Sequence, residues 1–154
     1  MITMVKKKYF MTITTEDLSY IAGLFDGEGC IQCKQVMEAK KRSTKPKKYK
    51  VWRITMEISM VDEDIIRWVH ETLGVGTVLL NVKNKSPSSK PHWKNQWRWR
   101  CSHRQAYKVC KLLWPYIKLK LPKVEQIIDH YEPEFLMNDK VVSLQQYKQN
   151  MNLE

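Results

Sequence analysis

No run of apolar residues in this sequence approaches the roughly 20 needed to cross a bilayer, so no membrane partner is expected. Met1 to Phe10 also lacks the apolar stretch of a secretory signal, and the expectation is an intracellular protein, cytoplasmic in a prokaryote and organellar otherwise. Cysteine is scarce: Cys30, Cys33, Cys101 and Cys110 supply one Cys-x-x-Cys pair and no second pair to complete a zinc set. If Cys30 to Val36 is a strand, positions three apart face opposite ways, and Cys30 and Cys33 cannot readily share one ion. Acidic residues are outnumbered, 16 against 27 Lys and Arg, which leaves a formal net charge of +11. Such a balance favours a polyanionic partner.

What is present suits one domain. The 154 residues are 43% hydrophobic with six tryptophans, enough to bury a real core. A basic extension over about 1–13 and a weaker helical segment over about 134–154 flank a single unit spanning 1–154. Thr14 and Asp17 have the spacing of a capping box, and Leu18, Ile21, Ala22 and Phe25 recur at helical intervals, predicting a helix from about Glu16 to Phe25. It is apolar nearly all round, since Tyr20 and Leu24 occupy sides that a surface helix gives to charge. It must be buried on more than one side, and Ala22 and Gly23 leave room for another helix backbone.

Strand-like alternation follows Gly29, with Ile31 and Cys33 on one side and Gln32 and Lys34 on the other. The basic stretch Lys40 to Lys50 around Pro46 reads as a loop. A second strand places Trp52, Ile54, Met56 and Ile58 on one face and Val51, Arg53, Thr55, Glu57 and Ser59 on the other. Asp62, Glu63 and Asp64 then open a helix carrying Ile65, Ile66, Val69 and Leu73, which Gly74 stops. Thr77 to Lys83 predicts a third strand. After a Pro- and Ser-rich loop, Gln96 to Cys101 predicts a fourth, with Trp97, Trp99 and Cys101 opposite Gln96, Arg98 and Arg100. Core packing is the favoured role of Trp52, Trp97 and Trp99. Ser102 and Gln105 suggest a further capping box for a helix that ends at Pro115, and Pro122 suits the first turn of a last helix. The order predicts an α+β domain, αββαββα, whose four-stranded antiparallel sheet carries helices on one face and a polar, cationic opposite face.

The unusual feature is Asp26, Gly27, Glu28 and Gly29, two carboxylates where a helix dipole already presents its negative end. Something cationic should compensate them, and the glycines would let the chain leave the helix sharply. A hard cation such as Mg²⁺, or Mn²⁺, suits such oxygens. Taken alone, the four residues also read as an ordinary Asp-Gly turn. The wider stretch from Leu18 to Ile31 resembles the signature of LAGLIDADG homing endonucleases. Ile21 stands for its first Leu, Phe25 for Ile, Gly27 for the second Ala and Glu28 for the last Asp. A looser likeness, including Pro115 to Lys123, points to the single-motif branch.

That resemblance implies a saddle-shaped homodimer that makes staggered double-strand breaks in a long pseudo-palindromic DNA target, encoded within an intron. The motif helices would pack through Ile21, Ala22, Gly23 and Phe25. Glu28 would be the catalytic, metal-binding acid, Gly27 would add its carbonyl, and Asp26 would support the helix end. Lys120 matches a basic residue that assists catalysis, with Lys118 and Lys123 as neighbours; its plainer reading is a solvated lysine before a helix. Where relatives carry a polar, water-organising residue, Met60 falls instead, so that Ser59 is the substitute or the alignment shifts. The second αββ unit ends at Leu73, Gly74, Val75, Gly76 without an acid, so one chain offers one site, and cutting both strands needs a C₂ dimer.

Base readout is expected from Gln32, Lys34, Arg53, Thr55, Glu57, Asn81, Lys83, Gln96, Arg98 and Arg100, and phosphate contact from the 40–50 lysines. The alternative is an RNA-binding intron maturase, or both activities together, since intron RNA would fit the same basic sheet. A DNA-binding regulator without catalysis is a third reading, against which the retained acid argues.

Overall fold

Alternating apolar and polar residues build a sheet that separates the chain into a greasy side under helices and a cationic side without them. The computed structural model describes residues 12–39, 44, 47–82, 88 and 90–135. Lys41, Arg42, Lys45 and Lys83 lie outside the described residues, as do most of the expected N-terminal extension and C-terminal segment. The elements are α1 (Thr15–Glu28), β1 (Gly29–Ala39), β2 (Lys48–Met60), α2 (Glu63–Leu73), β3 (Thr77–Asn81), β4 (Gln96–Ser102), α3 (His103–Leu113) and α4 (Leu121–Tyr131). The sheet is four-stranded and antiparallel in the order β1-β2-β4-β3. It is the expected α+β arrangement.

Register decides what each face carries, because directly paired residues share a face. Cys33 pairs with Ile54, Ile31 with Met56, Met56 with Cys101 and Ile58 with Trp99, and all of these are buried beneath helices. Ile21, Ala22 and Phe25 of α1, Ile66 and Val69 of α2, Val109 and Leu113 of α3, and Ile127 and Ile128 of α4 close over them with no exposed surface. Phe25 meets the Trp99 ring edge to face at 5.7 Å. Cys30 and Cys33 fall on opposite sides of β1, one exposed and one buried. Trp99 is fully buried, whereas Trp52 stays 38% exposed and lies against His130 of α4, so the expected core role fails for Trp52 at the sheet's rim.

Helix ends follow local chemistry. Thr14 and Asp17 form the expected reciprocal capping box on α1. Asp62 caps α2 by accepting from the Ile65 N–H, and Gly74 ends that helix in the left-handed region at φ 68°. Two expectations need correction. Ser102 makes no side-chain cap bond to α3: it ends β4 opposite Thr55, and His103 after it takes φ 50°, so the chain does not enter the helix in the usual capped geometry. The basic loop is also shorter than expected: Lys48 and Lys50 belong to β2, paired with Ala39 and Met37. Alternation puts these two lysines on the side of Ile54, away from Arg53, since hairpin pairing continues past the residues that need burial.

Gly76 is the glycine that the core most requires. At φ 91° an added Cβ would lie 2.7 Å from Trp99 Nε1 and 2.8 Å from the Arg100 carbonyl oxygen. Gly76→Ala is expected to lower unfolding free energy by about 2 kcal/mol through strain and overpacking, measured by chemical denaturation. An unchanged midpoint would mean that the Trp99 pocket yields more easily than its contacts imply.

Candidate metal and nucleic-acid site

Helix α1 runs three residues further than its apolar periodicity indicates, so Asp26, Gly27 and Glu28 form its last turn instead of a turn beyond it. Gly27 and Gly29 are not in the left-handed region, and the sharp glycine exit expected there does not occur. Gly29 is small for another reason: a Cβ would sit 2.4 Å from Phe25 Cδ1 as the chain passes into β1. The turn has no basic residue of its own. Its terminal carbonyls therefore need donors from elsewhere.

Lys120 supplies them. Its Nζ donates to the carbonyls of Phe25 at 2.6 Å and Asp26 at 2.8 Å. In return, the Asp26 carboxylate accepts from two backbone N–H groups of the following loop, Lys118 at 2.8 Å and Lys120 at 2.9 Å. Burial by itself would raise the Asp26 pKa. The N–H groups of Lys120, Lys118 and Leu119, together with the Lys120 charge, outweigh it and hold the carboxyl below its ordinary 3.8. Asp26 is thus a clasp between α1 and the segment before α4.

Glu28 is left exposed, with no hydrogen-bond or ion-pair partner among the described residues. On a helix, residues two apart are about 200° around the axis, which explains how one acid turns inward to the loop and the other outward. The Gly27 carbonyl belongs to the same uncapped terminal set. These are hard oxygen donors, but among the described residues no group of three His, Cys, Asp or Glu side chains gathers to hold an ion. Glu28 and the Gly27 carbonyl are the oxygens at this helix end that could help to hold a hard cation, which characteristically keeps water and phosphate oxygens in its shell.

Strand β1 leads directly from Glu28 onto the cationic face. Pairing Cys30–Glu57, Gln32–Thr55, Lys34–Arg53, Glu57–Arg100, Ser59–Arg98, Leu79–Arg98 and Asn81–Gln96 brings nine of the ten expected readout residues to that face, Lys83 being outside the described chain. Thr55 is the exception in exposure. It is 6% accessible on the interior strand, between Gln32 and Ser102, and spaces its neighbours rather than meeting a ligand. The register also resolves the second-strand question: Met60 pairs with Trp97 on the helix side, while Ser59 lies on the cationic side, one step past the Gly29–Ile58 pair and level with Glu28.

The expected dimer residues are only partly placed for that role. Ile21, Ala22 and Phe25 have no exposed surface because they fill the protomer's own core, so they cannot meet a second chain. Gly23 is exposed, in line with Tyr20 and Gly27 on the opposite side of α1. An added Cβ at Gly23 or Gly27 would find nothing within 4 Å.

By sequence, no protein-family model matches the chain and neither does any curated protein. By structure, it superposes on the homing endonuclease I-CvuI in complex with its target at TM-score 0.52 and 19% identity, over 84% of this chain and 82% of that one. The chain has the LAGLIDADG homing endonuclease fold. The homing endonuclease I-TnaI matches at TM-score 0.52 and 16% identity, over 82% of this chain and 81% of that one. The group I intron-encoded homing endonuclease I-CeuI, complexed with DNA, matches at 0.53 and 14%, over 86% and 60%. Within this fold, the chain's exposed acid and cationic sheet meet at the end of α1.

The Asp26 clasp carries a pH signature. Because its folded pKa is depressed, its stabilisation is complete above the unfolded value near 3.8 and is lost as pH falls through the folded value. Asp26→Asn is expected to cost about 1–3 kcal/mol at neutral pH. The difference from wild type should shrink below pH 3.8, as read by denaturation at stepped pH.

Proposed function

We propose that the chain is a homodimeric, divalent-metal-dependent DNA endonuclease that makes a site-specific, staggered double-strand break in a long pseudo-palindromic target. The observation that carries this reading is the exposed Glu28 carboxylate at the end of α1, without a partner among the described residues, beside a sheet face of Gln32, Lys34, Arg98 and Arg100. A divalent ion held by Glu28 and the Gly27 carbonyl would activate water and stabilise the leaving oxygen in phosphodiester hydrolysis. The protein's own part is geometric. Asp26 and Lys120 fix the helix end, so that Glu28 is held where β1 delivers the backbone of the duplex. Lys120 is spent on two carbonyls in the free protein, and its catalytic contribution is to hold the Glu28 turn rigid while adding positive charge beside the scissile phosphate.

The homodimer is supported by the glycines of α1. Gly in a helix interior costs roughly 0.5–1 kcal/mol relative to Ala, and nothing inside the protomer requires Gly23 or Gly27 to be small. A second α1 approaching along the exposed side of Tyr20, Gly23 and Gly27 supplies the missing reason, and it brings two Glu28 sites to the two strands of one duplex. The two carboxylates would repel unless cations lay between them, which couples metal to DNA binding. Structural neighbours in complex with DNA support this reading. The intron origin and intracellular location remain part of the same proposal.

Two experiments test it. Incubating the protein with a plasmid library and Mg²⁺ should give double-strand breaks that EDTA abolishes. Glu28→Gln should cut at least ~100-fold more slowly while still binding, since altering even a residue behind a metal ligand costs about 10–100-fold. Equal cutting by that variant would end the assignment of Glu28. Gly23→Leu should leave the protomer folded by circular dichroism yet sediment as a monomer; an intact dimer would move the interface elsewhere.

A further inference from the structure

Three arginines stand on the cationic face, Arg53 on β2 and Arg98 and Arg100 on β4, and they are not in equivalent surroundings. Arg53 Nη2 lies 3.4 Å from Glu38 Oε1, and Arg100 Nε lies 3.9 Å from Glu57 Oε2. Among the described residues Arg98 makes no ion pair. Register places it between Ser59 on β2 and Leu79 on β3, and its Nε is buried without a hydrogen-bond partner among the described residues. We propose that Arg98 is the arginine that reads a base, a guanine in each half-site, while Arg53 and Arg100 are restrained by Glu38 and Glu57. The proposal deepens the endonuclease reading and rests on it.

The reasoning is one of differential gain. An arginine that binds a base exchanges its previous partners for the base, so a paired guanidinium gains only the difference. Arg53 and Arg100 each begin with a carboxylate, and drawing them to DNA leaves Glu38 or Glu57 near phosphates without a counter-charge. Arg98 begins with an orphan donor, and turning toward a duplex gives that donor access to an acceptor or to water. Guanine offers O6 and N7 in the geometry that a guanidinium fork fits. The flank helps as well. Leu79 is 55% exposed beside Arg98, and an apolar neighbour keeps competing water from one side of the bonds that form.

The test uses a pool of randomised duplexes, selected once by cleavage in Mg²⁺ and once by binding in Ca²⁺, with the selected sequences read out for each variant. Wild type should show a strongly preferred guanine at one position repeated symmetrically in both half-sites. Arg98→Lys should reduce that preference by about 10- to 100-fold, and Arg98→Gln should shift it toward adenine, a change that loss of structure does not produce. Arg53→Lys and Arg100→Lys should each alter base preference by less than ~3-fold, and Glu57→Gln should tighten binding to the whole pool. Unchanged preference in both Arg98 variants overturns the proposal, as does a larger guanine loss in Arg53→Lys or Arg100→Lys. A wild type that binds selectively but cuts nothing removes the endonuclease reading while the binding selection still decides Arg98. A wild type without any sequence preference overturns the Arg98 assignment directly.

Discussion

The arrangement turns on the clasp between the last turn of α1 and the segment before α4. A helix that ends on two carboxylates and no base is electrostatically unfavourable, and the chain answers from more than ninety residues away: Asp26 and the Lys118 N–H are 92 apart in sequence. The exchange is reciprocal. Lys120 gives its ammonium to the helix carbonyls, and Asp26 gives both carboxylate oxygens to the loop backbone. Each Asp26 oxygen already takes a backbone N–H, whereas Glu28, round the other side of the helix, has no partner among the described residues. The clasp thus divides the labour between two neighbouring acids, and it does so through position rather than through any chemical difference between them.

The same helix divides in a second direction. Its inward side, Ile21, Ala22 and Phe25, is committed to Trp99 and the sheet, and this commitment aims the helix end at the start of β1. Its outward side is open: Gly23 and Gly27 have nothing within 4 Å of an added Cβ, and Tyr20 stays 57% exposed with one edge against the Trp68 ring. Rigid anchoring on one side allows the other to be small and exposed without loss of position. The sheet register then carries that position across the molecule, because the Gly29–Ile58 pair fixes where Ser59 and Arg98 stand relative to Glu28.

Period-two alternation and local caps were legible in the chain because both depend on neighbours a few residues apart. The strand faces, the Thr14–Asp17 box and the Gly74 stop followed from these local rules. The motif also marked Glu28 and a supporting Asp26. What local pattern could not carry was direction around α1. Ile21, Ala22 and Phe25 are apolar and small enough to suit either a core or an interface, and only the placement of Trp99 and Ile58 assigns them to the core. The extra turn of α1 was hidden because Asp26 and Gly27 are poor helix formers and both acids oppose the dipole at that end, while the distant Lys120 that sustains the turn has no local signature. The signal for the exposed side was present in the spacing of Tyr20, Gly23 and Gly27, but it becomes readable only when the burial of the opposite side is known.

The second αββ unit sharpens the contrast with the first. It repeats the path of the first, yet the glycines at the end of α2 serve different ends from those of α1. Gly74 takes φ 68° and Gly76 φ 91°, and the latter makes way for Trp99, whose Nε1 donates to the Val75 carbonyl at 2.9 Å. His70 reaches the Gly76 carbonyl at 3.1 Å. Here Gly76 is taken up by the packing of Trp99, and no acid lies between Leu73 and Thr77. In α1, Gly23 and Gly27 have nothing within 4 Å of an added Cβ, and Glu28 has no partner among the described residues. In the proposed dimer the first half is the one that meets the second molecule, and the open acid at Glu28 and the smallness at Gly23 and Gly27 then have one explanation on two sides of a helix.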